Sequence, residues 1–209
     1  MVGIPVFPSR AFRHSALFVR EDDPIEDPAR LAGGRIGIPE WTQTATVYVR
    51  GFLAEQYGID LTTVSWVQGG VNEPGRVEGI PIDHRAVEAA HHRETGIFPI
   101  MHLIALRGDV YDRDPWVAMN LLTALEEAKR RSLARLSEAN TARIPLPWAF
   151  SYANEARDTF GGDFWPYGIE PNRPTLQAFL RYAHDQGVTA RPLGVEELFV
   201  PEVREAYRI

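Results

Sequence analysis

The sequence contains no cysteine, and this absence excludes both a disulfide framework and thiolate chemistry. It also contains no apolar run long enough to span a bilayer. The N-terminal segment MVGIPVFPSR lacks the basic region and the following apolar region of a secretory signal. These three absences fit the reducing cytosol, so we expect a cytoplasmic protein that does not bind a membrane.

Several motifs that mark common enzyme classes are also missing. The sequence has no P-loop, no GxGxxG after a strand, no GxSxG nucleophile elbow and no HExxH pair. Nucleotide, flavin and serine-hydrolase chemistry is therefore not expected. No basic stripe is present, and the formal net charge is -6, so nucleic acid is not an expected partner.

The elements that are present predict an α/β fold. Short apolar runs at Arg35–Pro39 and Thr62–Gly70 flank a helical pattern, which indicates a βαβ unit with a parallel sheet. We expect Thr42 or Thr44 to cap the start of this helix and Gly58 to end it. With 44% hydrophobic residues among 209, the chain can bury a sizeable core.

Other segments predict the remaining elements. The apolar run Ala16–Val19 predicts a largely buried strand, and the run in IFPIMHLIALRGDVY predicts a strand that is buried on both faces. Helices are expected from Asp83, from Asp114 and in LQAFLRYAHDQG, the second with a buried stripe of Val117, Leu121, Leu122, Leu125, Ala128 and Leu136. Residues 1–110 should then form an α/β lobe with hinge strands, and residues 111–209 a helical C-terminal segment that packs back on the α/β core.

The stretch VFPSRAFRHSALFV carries the first candidate site. Ser9, Arg10, Arg13 and His14 precede an apolar run, where two guanidinium groups and an imidazole would be costly to bury without partners. Arginine pairs with carboxylates in a bidentate manner, and serine hydroxyl groups can satisfy the remaining lone pairs. These residues therefore predict a carboxylate clamp. The alternative is a solvated strand end whose charges pair with the acidic connector that follows.

The segment EWTQTAT is the second candidate site. A threonine-rich loop that opens a helix after a strand is typical of an anion site, since backbone N–H groups and the helix dipole point at the ligand. We therefore expect Thr42, Gln43 and Thr44 to contact a ligand. Ordinary capping of the helix, which needs one threonine, is the alternative.

Three further segments contain residues that suit a site. His102 lies in the apolar segment FPIMH, where it is either a core residue or a catalyst. Trp165 and Tyr167 suit the wall of a pocket for an aromatic ligand, or else a packed surface loop. In EAAHHRE the adjacent histidines diverge by about 100° on a helix and no third ligand is obvious. We expect no metal site there.

Five segments of the chain resemble the 4,5-dihydroxyphthalate decarboxylase family. They are GIPVFPSRAFRHSALFV, RIGIPEWTQTATVYVRGFLAEQYGI, TGIFPIMHLIALRGDVY, DPWVAMNLLTALEEAK and FGGDFWPYGIEPNRPTLQAFLRYAHDQG. The resemblance covers most of the chain in pieces, and the combination of FPSRxFRH, GIFPIMH and DFWPYGIxxNRxTL is specific. That family is related to the solute-binding proteins of ABC transporters. The resemblance therefore implies the two-lobed type II periplasmic-binding-protein fold.

The chain departs from the family pattern in two places. Family members begin with an α/β segment before the FPSR strand, and they carry an internal block where this chain has only VEGIPIDHRAVEAAHHRE. We therefore expect a truncated relative with an incomplete two-lobe architecture and a helical C-terminal portion. A remnant without function is one alternative that these departures leave open.

The resemblance implies the non-oxidative loss of CO2 from 4,5-dihydroxyphthalate to give 3,4-dihydroxybenzoate. Arg10 and Arg13 would hold the carboxylate that stays, and His14 or His102 would protonate the ring carbon. Thr42–Thr44 would hold a carboxylate or a developing oxyanion, and the aromatic pair Trp165 and Tyr167 would stack on the ring. No cofactor is needed, because the hydroxylated ring is its own electron sink. The expected partner is thus a small aromatic carboxylate, and assembly into a homo-oligomer is left open.

The competing hypothesis is a binding protein without chemistry. The same fold and the same arginine and threonine groups would serve a transporter's solute-binding protein for an aromatic or dicarboxylate ligand, since a fold does not determine a function. Formation of the decarboxylated product distinguishes the two hypotheses.

Overall fold

The computed structural model describes residues 1–19, 25, 27–69, 84–136 and 148–205. Four strands and six α-helices occur in this part of the chain, together with short 3-10 helices. In chain order they are β1 (Val2–Arg10), β2 (Arg35–Ile38), α1 (Thr44–Glu55), β3 (Ser65–Gln68), α2 (His84–Thr95), β4 (Ile100–Leu106), α3 (Gly108–Arg113), α4 (Trp116–Leu136), α5 (Ala149–Phe160) and α6 (Arg173–Asp185). No helix among the described residues is both long and apolar enough to cross a membrane.

The strands form two small sheets, and the fold mixes helix and strand as expected for an α/β protein. Strands β2 and β3 are parallel, with Arg35 opposite Ser65 and Ile38 opposite Gln68. Because α1 lies between them in the chain, the predicted βαβ unit is confirmed. Strands β1 and β4 form the second sheet.

The chain divides into two compact units that alternate along the sequence. Unit 1 comprises Met1–Ser9, His102–Leu176 and Gly194–Ile209, and unit 2 comprises Arg10–Met101 and Gln177–Leu193. The boundary between the units therefore crosses both β1 and β4. The division at residue 110 that the sequence suggested stays a prediction.

Helix α1 is the centre of unit 2, because two of its faces are buried. One face carries Val47, Tyr48 and Phe52, which pack with residues that include Met101 and Tyr182. The other face carries Val49 and Leu53. They pack with Ile36 and Ile38 of β2 and with Ile59 and Val64, which lie between α1 and β3. Burial on two faces explains why eight consecutive residues of α1 are inaccessible to solvent, from Thr46 to Leu53.

The two ends of α1 test the capping predictions. Gly58 has a φ of 64°, and the Ile59 N–H donates to the Leu53 carbonyl at 3.0 Å, which is a glycine-terminated helix end. Gly58 as the stop signal is therefore confirmed. The predicted threonine cap is wrong, because the cap residue is Gln43, whose side chain makes no capping hydrogen bond.

Two strand predictions are corrected. The strand near the N-terminus is Val2–Arg10 and not Ala16–Val19, where Phe18 is 55% exposed. β1 contains Pro5 and Pro8, and proline is unfavourable in most strands, so residue propensities do not predict it. Proline is tolerated in an edge strand, where its nitrogen needs no partner. Strand β4 is buried at Ile100 and Met101, whereas its second half is mostly accessible and Leu103 is 41% exposed. The small sheet does not cover both faces of β4.

The buried stripe predicted for α4 is only partly right. Five of its six positions are half-buried, and Ala128 is exposed. The fully buried residues of α4 are Ala118 and Lys129. The Lys129 ammonium group forms ion pairs with Glu126 at 2.6 Å and Asp163 at 2.9 Å, so ionic contacts replace part of the expected apolar contact.

Candidate functional site

The first group of candidate residues lies in unit 2, directly after β1. The strand ends at Arg10, and a short 3-10 turn, His14–Ala16, follows. This turn packs against α1 and α2. The chain therefore presents Arg13 and His14 next to two helices, and the predicted buried strand does not follow them.

The His14 ring packs in a group of side chains that we call the His14 cluster, composed of the rings of His14, Phe52 and His91 and the amide of Gln56. The His14 ring stacks on the Phe52 ring, with 4.6 Å between ring centroids and 9° between ring planes. Its Nε2 atom is 2.9 Å from the Gln56 Oε1 atom. The His91 ring meets His14 edge-on at 4.9 Å and Phe52 edge-on at 4.8 Å. These contacts fix the plane and the position of the His14 imidazole.

His91 is a residue of this site that the sequence analysis missed. It was considered only as a metal ligand, whereas its side chain is 6% exposed and packs on His14. Burial, followed by the charges of His14 and His92, lowers the pKa of His91 from 6.5 to about 4. His91 is therefore uncharged at neutral pH. Its position four residues after Val87, on the same helix face, was the available signal.

The two arginines of the predicted clamp differ in their surroundings. The Arg10 side chain is 7% exposed; its Nη1 atom donates to the Phe98 carbonyl at 3.3 Å, and its guanidinium lies 5.3 Å from the Phe98 ring centroid. Arg13 is half-buried, which lowers its pKa. Its Nε and Nη2 atoms donate to the Met101 sulfur at 3.0 and 2.7 Å.

Arg13 is the better placed of the two to receive a carboxylate. A thioether sulfur is a weak acceptor, and no carboxylate pairs with Arg13 among the described residues. A ligand carboxylate could therefore replace the sulfur without breaking an ion pair. Most of the acidic connector, which was the alternative partner, lies outside the described residues.

The second predicted group, Thr42–Thr44, lies at the start of α1. The exposed Thr42 hydroxyl donates to Glu40 Oε1 at 2.9 Å. Gln43 occupies the cap position, and its Oε1 atom accepts from the Thr46 hydroxyl at 3.3 Å. Because the Gln43 side chain makes no capping hydrogen bond, the first N–H groups of α1 keep the capacity to bind an anion. Phe52, on which the His14 ring stacks, lies about 12 Å from Thr44 along the helix axis.

The remaining candidates belong to unit 1. The Trp165 Nε1 atom donates to the Phe7 carbonyl at 3.0 Å, and the Tyr167 ring centroid lies 4.7 Å from the Lys129 Nζ atom. Ser9 is half-buried in β1, and His102 is exposed on β4. Successive side chains of a strand alternate, so His102 and Met101 point to opposite faces of β4.

No group of three or more potential metal ligands occurs in the part of the chain that the structure describes. In the segment EAAHHRE, the spacing pairs Glu88 with either His91 or His92 as potential ligands. In the structure His91 contacts aromatic rings, which is the environment of a packed imidazole.

Comparison with known proteins gives two relatives that are both named 4,5-dihydroxyphthalate decarboxylase. The protein from Comamonas testosteroni is 32% identical over 258 residues, which cover 100% of this chain and 78% of the relative. The protein from Pseudomonas putida is 48% identical over 97 residues, which cover 45% of this chain and 38% of the relative. The first alignment is longer than this chain, so that relative contains internal residues without a counterpart here. No protein-family model matches the chain.

Proposed function

The chain belongs to the 4,5-dihydroxyphthalate decarboxylase family, and we therefore propose that it converts 4,5-dihydroxyphthalate, or a related hydroxylated aromatic carboxylate, to 3,4-dihydroxybenzoate and CO2. The observation that carries the proposal is the similarity to the Comamonas testosteroni protein over the whole chain. We also propose a type II periplasmic-binding-protein-like architecture, which the parallel β2–α1–β3 unit supports.

Arg13 would hold the carboxylate that remains on the ring. The substrate carries two carboxylates, and one of them must stay fixed while the other leaves. A guanidinium offers two parallel N–H groups to a carboxylate, and Arg13 spends two of its N–H groups on a thioether. Arg10 beside it would add positive charge, with its guanidinium already oriented by Phe98.

His14 would supply the proton. When the carboxylate leaves as CO2, the electron pair of the broken carbon–carbon bond stays on the ring carbon, and that carbon must take up a proton. The ring hydroxyl para to this carbon donates electron density to it, which favours uptake of the proton at this carbon. Stacking on Phe52 and the contact with Gln56 hold the imidazole in one orientation, as general acid catalysis requires.

His91 would be the uncharged neighbour of His14. Two imidazolium ions at a ring distance of 4.9 Å would repel each other, and the burial of His91 keeps it neutral at the working pH. Environments that separate the pKa values of neighbouring groups are typical of sites that transfer protons.

The other predicted residues keep their proposed roles. The open start of α1 at Thr42–Thr44 would hold a second anionic group of the ligand. Trp165 and Tyr167 would contact the aromatic ring, Ser9 would support the clamp, and His102 is the second candidate for the acid. No described contact carries these last four roles, which depend on residue type and on position in the sequence.

Product formation tests the proposal directly. The purified chain is incubated with 4,5-dihydroxyphthalate, and chromatography follows 3,4-dihydroxybenzoate against a boiled control. We expect product, and we expect the His14→Gln protein to form far less of it. If the substrate raises the melting temperature of the chain but no product forms, the chain is a binding protein and the proposed reaction is wrong.

A further inference from the structure

Arg50 is a buried cation in the middle of α1. Its side chain is 0% exposed. The Nε atom donates to Gln186 Oε1 at 2.7 Å, and the Nη2 atom donates to the Trp41 carbonyl at 2.8 Å. The guanidinium carbon lies 3.6 Å from the centroid of the Trp41 ring. Since Trp41 precedes the cap residue Gln43 by two positions, the charge of Arg50 lies beside the start of the helix.

The charge of Arg50 has no counter-charge within the described residues, where its side-chain partners are an amide, a carbonyl and aromatic rings. Its Nη1 atom is buried and lacks a hydrogen-bond partner in the same part of the chain. Burial lowers the pKa of Arg50 to about 10, so the group stays charged at neutral pH. A buried charge without a counter-ion is unfavourable, and an apolar side chain of similar size would avoid that cost.

The residues around Arg50 hold the segment that leads into α1. The Trp41 indole donates to the Gln186 carbonyl at 3.1 Å, and the Gln186 side-chain amide donates to the Val47 carbonyl at 3.0 Å. Trp41 is therefore fixed through its ring, its indole N–H and its carbonyl. Thr42 and Gln43 follow directly, and both are exposed. These contacts support the exposed start of α1, where the side chain of the cap residue makes no capping hydrogen bond.

We propose that Arg50 is a positioning residue for anion recognition: it fixes the start of α1 through Trp41 and supplies the positive charge that favours a ligand carboxylate at Thr42–Thr44. The charge adds to the partial positive charge of the helix N-terminus. The Arg50 charge and the helix dipole act on the same end of α1. A ligand carboxylate bound at this end would therefore supply the counter-charge that Arg50 lacks among the described residues. This role rests on the proposed function, because it concerns how the same aromatic dicarboxylate is bound.

Binding of two ligands that do not react tests this role. Phthalate has both carboxylates but no hydroxyl group, and phthalamide has the same shape without charge. Calorimetry at pH 7 gives the ratio of the two affinities for the parent and for Arg50→Met and Arg50→Lys. We expect Arg50→Met to lower this ratio by about tenfold, and Arg50→Lys, which keeps the charge, to retain most of it.

The matched control is Arg181→Met, which removes one positive charge from an exposed arginine of the same unit that pairs with Glu55. It should leave the ratio within about twofold of the parent. A loss of thermal stability in Arg50→Met without a change in the ratio would show a merely structural role and overturn the proposal. If Arg50→Met does not fold, Arg50→Lys and Gln186→Leu are measured together. Gln186→Leu removes the acceptor of Arg50 Nε. An unchanged preference for phthalate in Arg50→Lys, together with weaker phthalate binding in Gln186→Leu, supports the proposal, and any other result overturns it.

Failure of the proposed reaction is distinguishable from failure of this role. A parent protein that prefers phthalate to phthalamide but forms no 3,4-dihydroxybenzoate contradicts the reaction and leaves the role of Arg50 standing. A parent protein that shows no preference for phthalate overturns the role of Arg50, whether or not it decarboxylates the substrate.

Discussion

The edge of the His91 ring meets the His14 ring at a centroid distance of 4.9 Å and an interplanar angle of 63°. His14 is half-buried, and His91 is 6% exposed. Burial lowers the pKa of His91 to about 4, so its ring is uncharged at neutral pH. The predictions that follow depend on this difference and on the contacts of α1.

Replacing His14 with glutamine should lower kcat by about 10²- to 10⁴-fold, the range of a general acid. KM should change little, because glutamine preserves the size and polarity of the side chain. Steady-state kinetics with 4,5-dihydroxyphthalate measures both constants. His102→Gln is the parallel variant, and equal turnover of both variants and the parent would contradict the assignment of either histidine as the acid.

Replacing Arg13 with methionine should weaken phthalate binding by roughly 10- to 100-fold, since a charge-assisted bidentate contact is lost. Arg13→Lys should recover only part of the affinity, because lysine keeps the charge but not the planar fork. Calorimetric titration with phthalate measures the change. Arg30→Met removes a charge from an exposed position and serves as the control. Equal losses of affinity in both methionine variants would show an effect of net charge alone and would contradict a direct contact between Arg13 and the ligand.

The stability of unit 2 should depend on pH through His91. Its pKa in the folded chain is lowered from 6.5 to about 4, so between these values the unfolded chain binds a proton that the folded chain does not. Stability is therefore full above pH 6.5 and falls as the pH drops towards 4, by on the order of 3 kcal/mol. Urea denaturation at pH 7.5 and pH 4.5 measures the difference.

His91→Phe should reduce this dependence on pH, because phenylalanine keeps the ring contacts with His14 and Phe52 but does not titrate. His184→Phe, at a half-buried histidine of α6, is the control and should keep the dependence of the parent. A pH dependence that is identical in all three proteins would contradict the assignment to His91.

Replacing Gly51 with alanine should destabilise the protein by about 1–3 kcal/mol, as expected for overpacking. A Cβ atom at this position would lie 2.5 Å from two carbons of the Tyr182 ring, so α1 and α6 would have to separate. The free energy of unfolding in urea measures the effect. Gly37→Ala, whose Cβ would meet the Val67 carbonyl at 4.0 Å and no nearer atom of the described residues, should cost much less. Similar losses in both variants would argue against the clash.

The sequence predicted the fold correctly where strand, helix and turn signals of one segment agreed with each other. The β2–α1–β3 unit was predictable because two short apolar runs flank a helical pattern that ends at a glycine with positive φ. Strand β1 was missed because its prolines are unfavourable for most strands. The position of β4 was predicted, but its exposure was not, since burial depends on what covers the strand and not on the strand itself.

The candidate site was predictable only in part, for a similar reason. Arg13 and His14 stand out as charged residues beside an apolar run, whereas His91 and Arg50 look like ordinary helix residues. Their environments depend on partners far away in the chain, such as Gln186 at a separation of 136 residues from Arg50. Periodicity reports which face of a helix is apolar, but it cannot report that a cation on that helix is enclosed by tryptophan and glutamine.

The late position of α6 in the chain also affects how the protein is made. Val47 of α1 and Gln186 after α6 are in contact, yet they are separated by 139 residues. At a synthesis rate of roughly 5–20 residues per second, α1 leaves the ribosome on the order of ten seconds before the segment that covers it. During that interval the nascent chain exposes Tyr48, Phe52 and the Arg50 guanidinium to water and to chaperones, and unit 2 becomes complete only after Gln177–Leu193 has been synthesised.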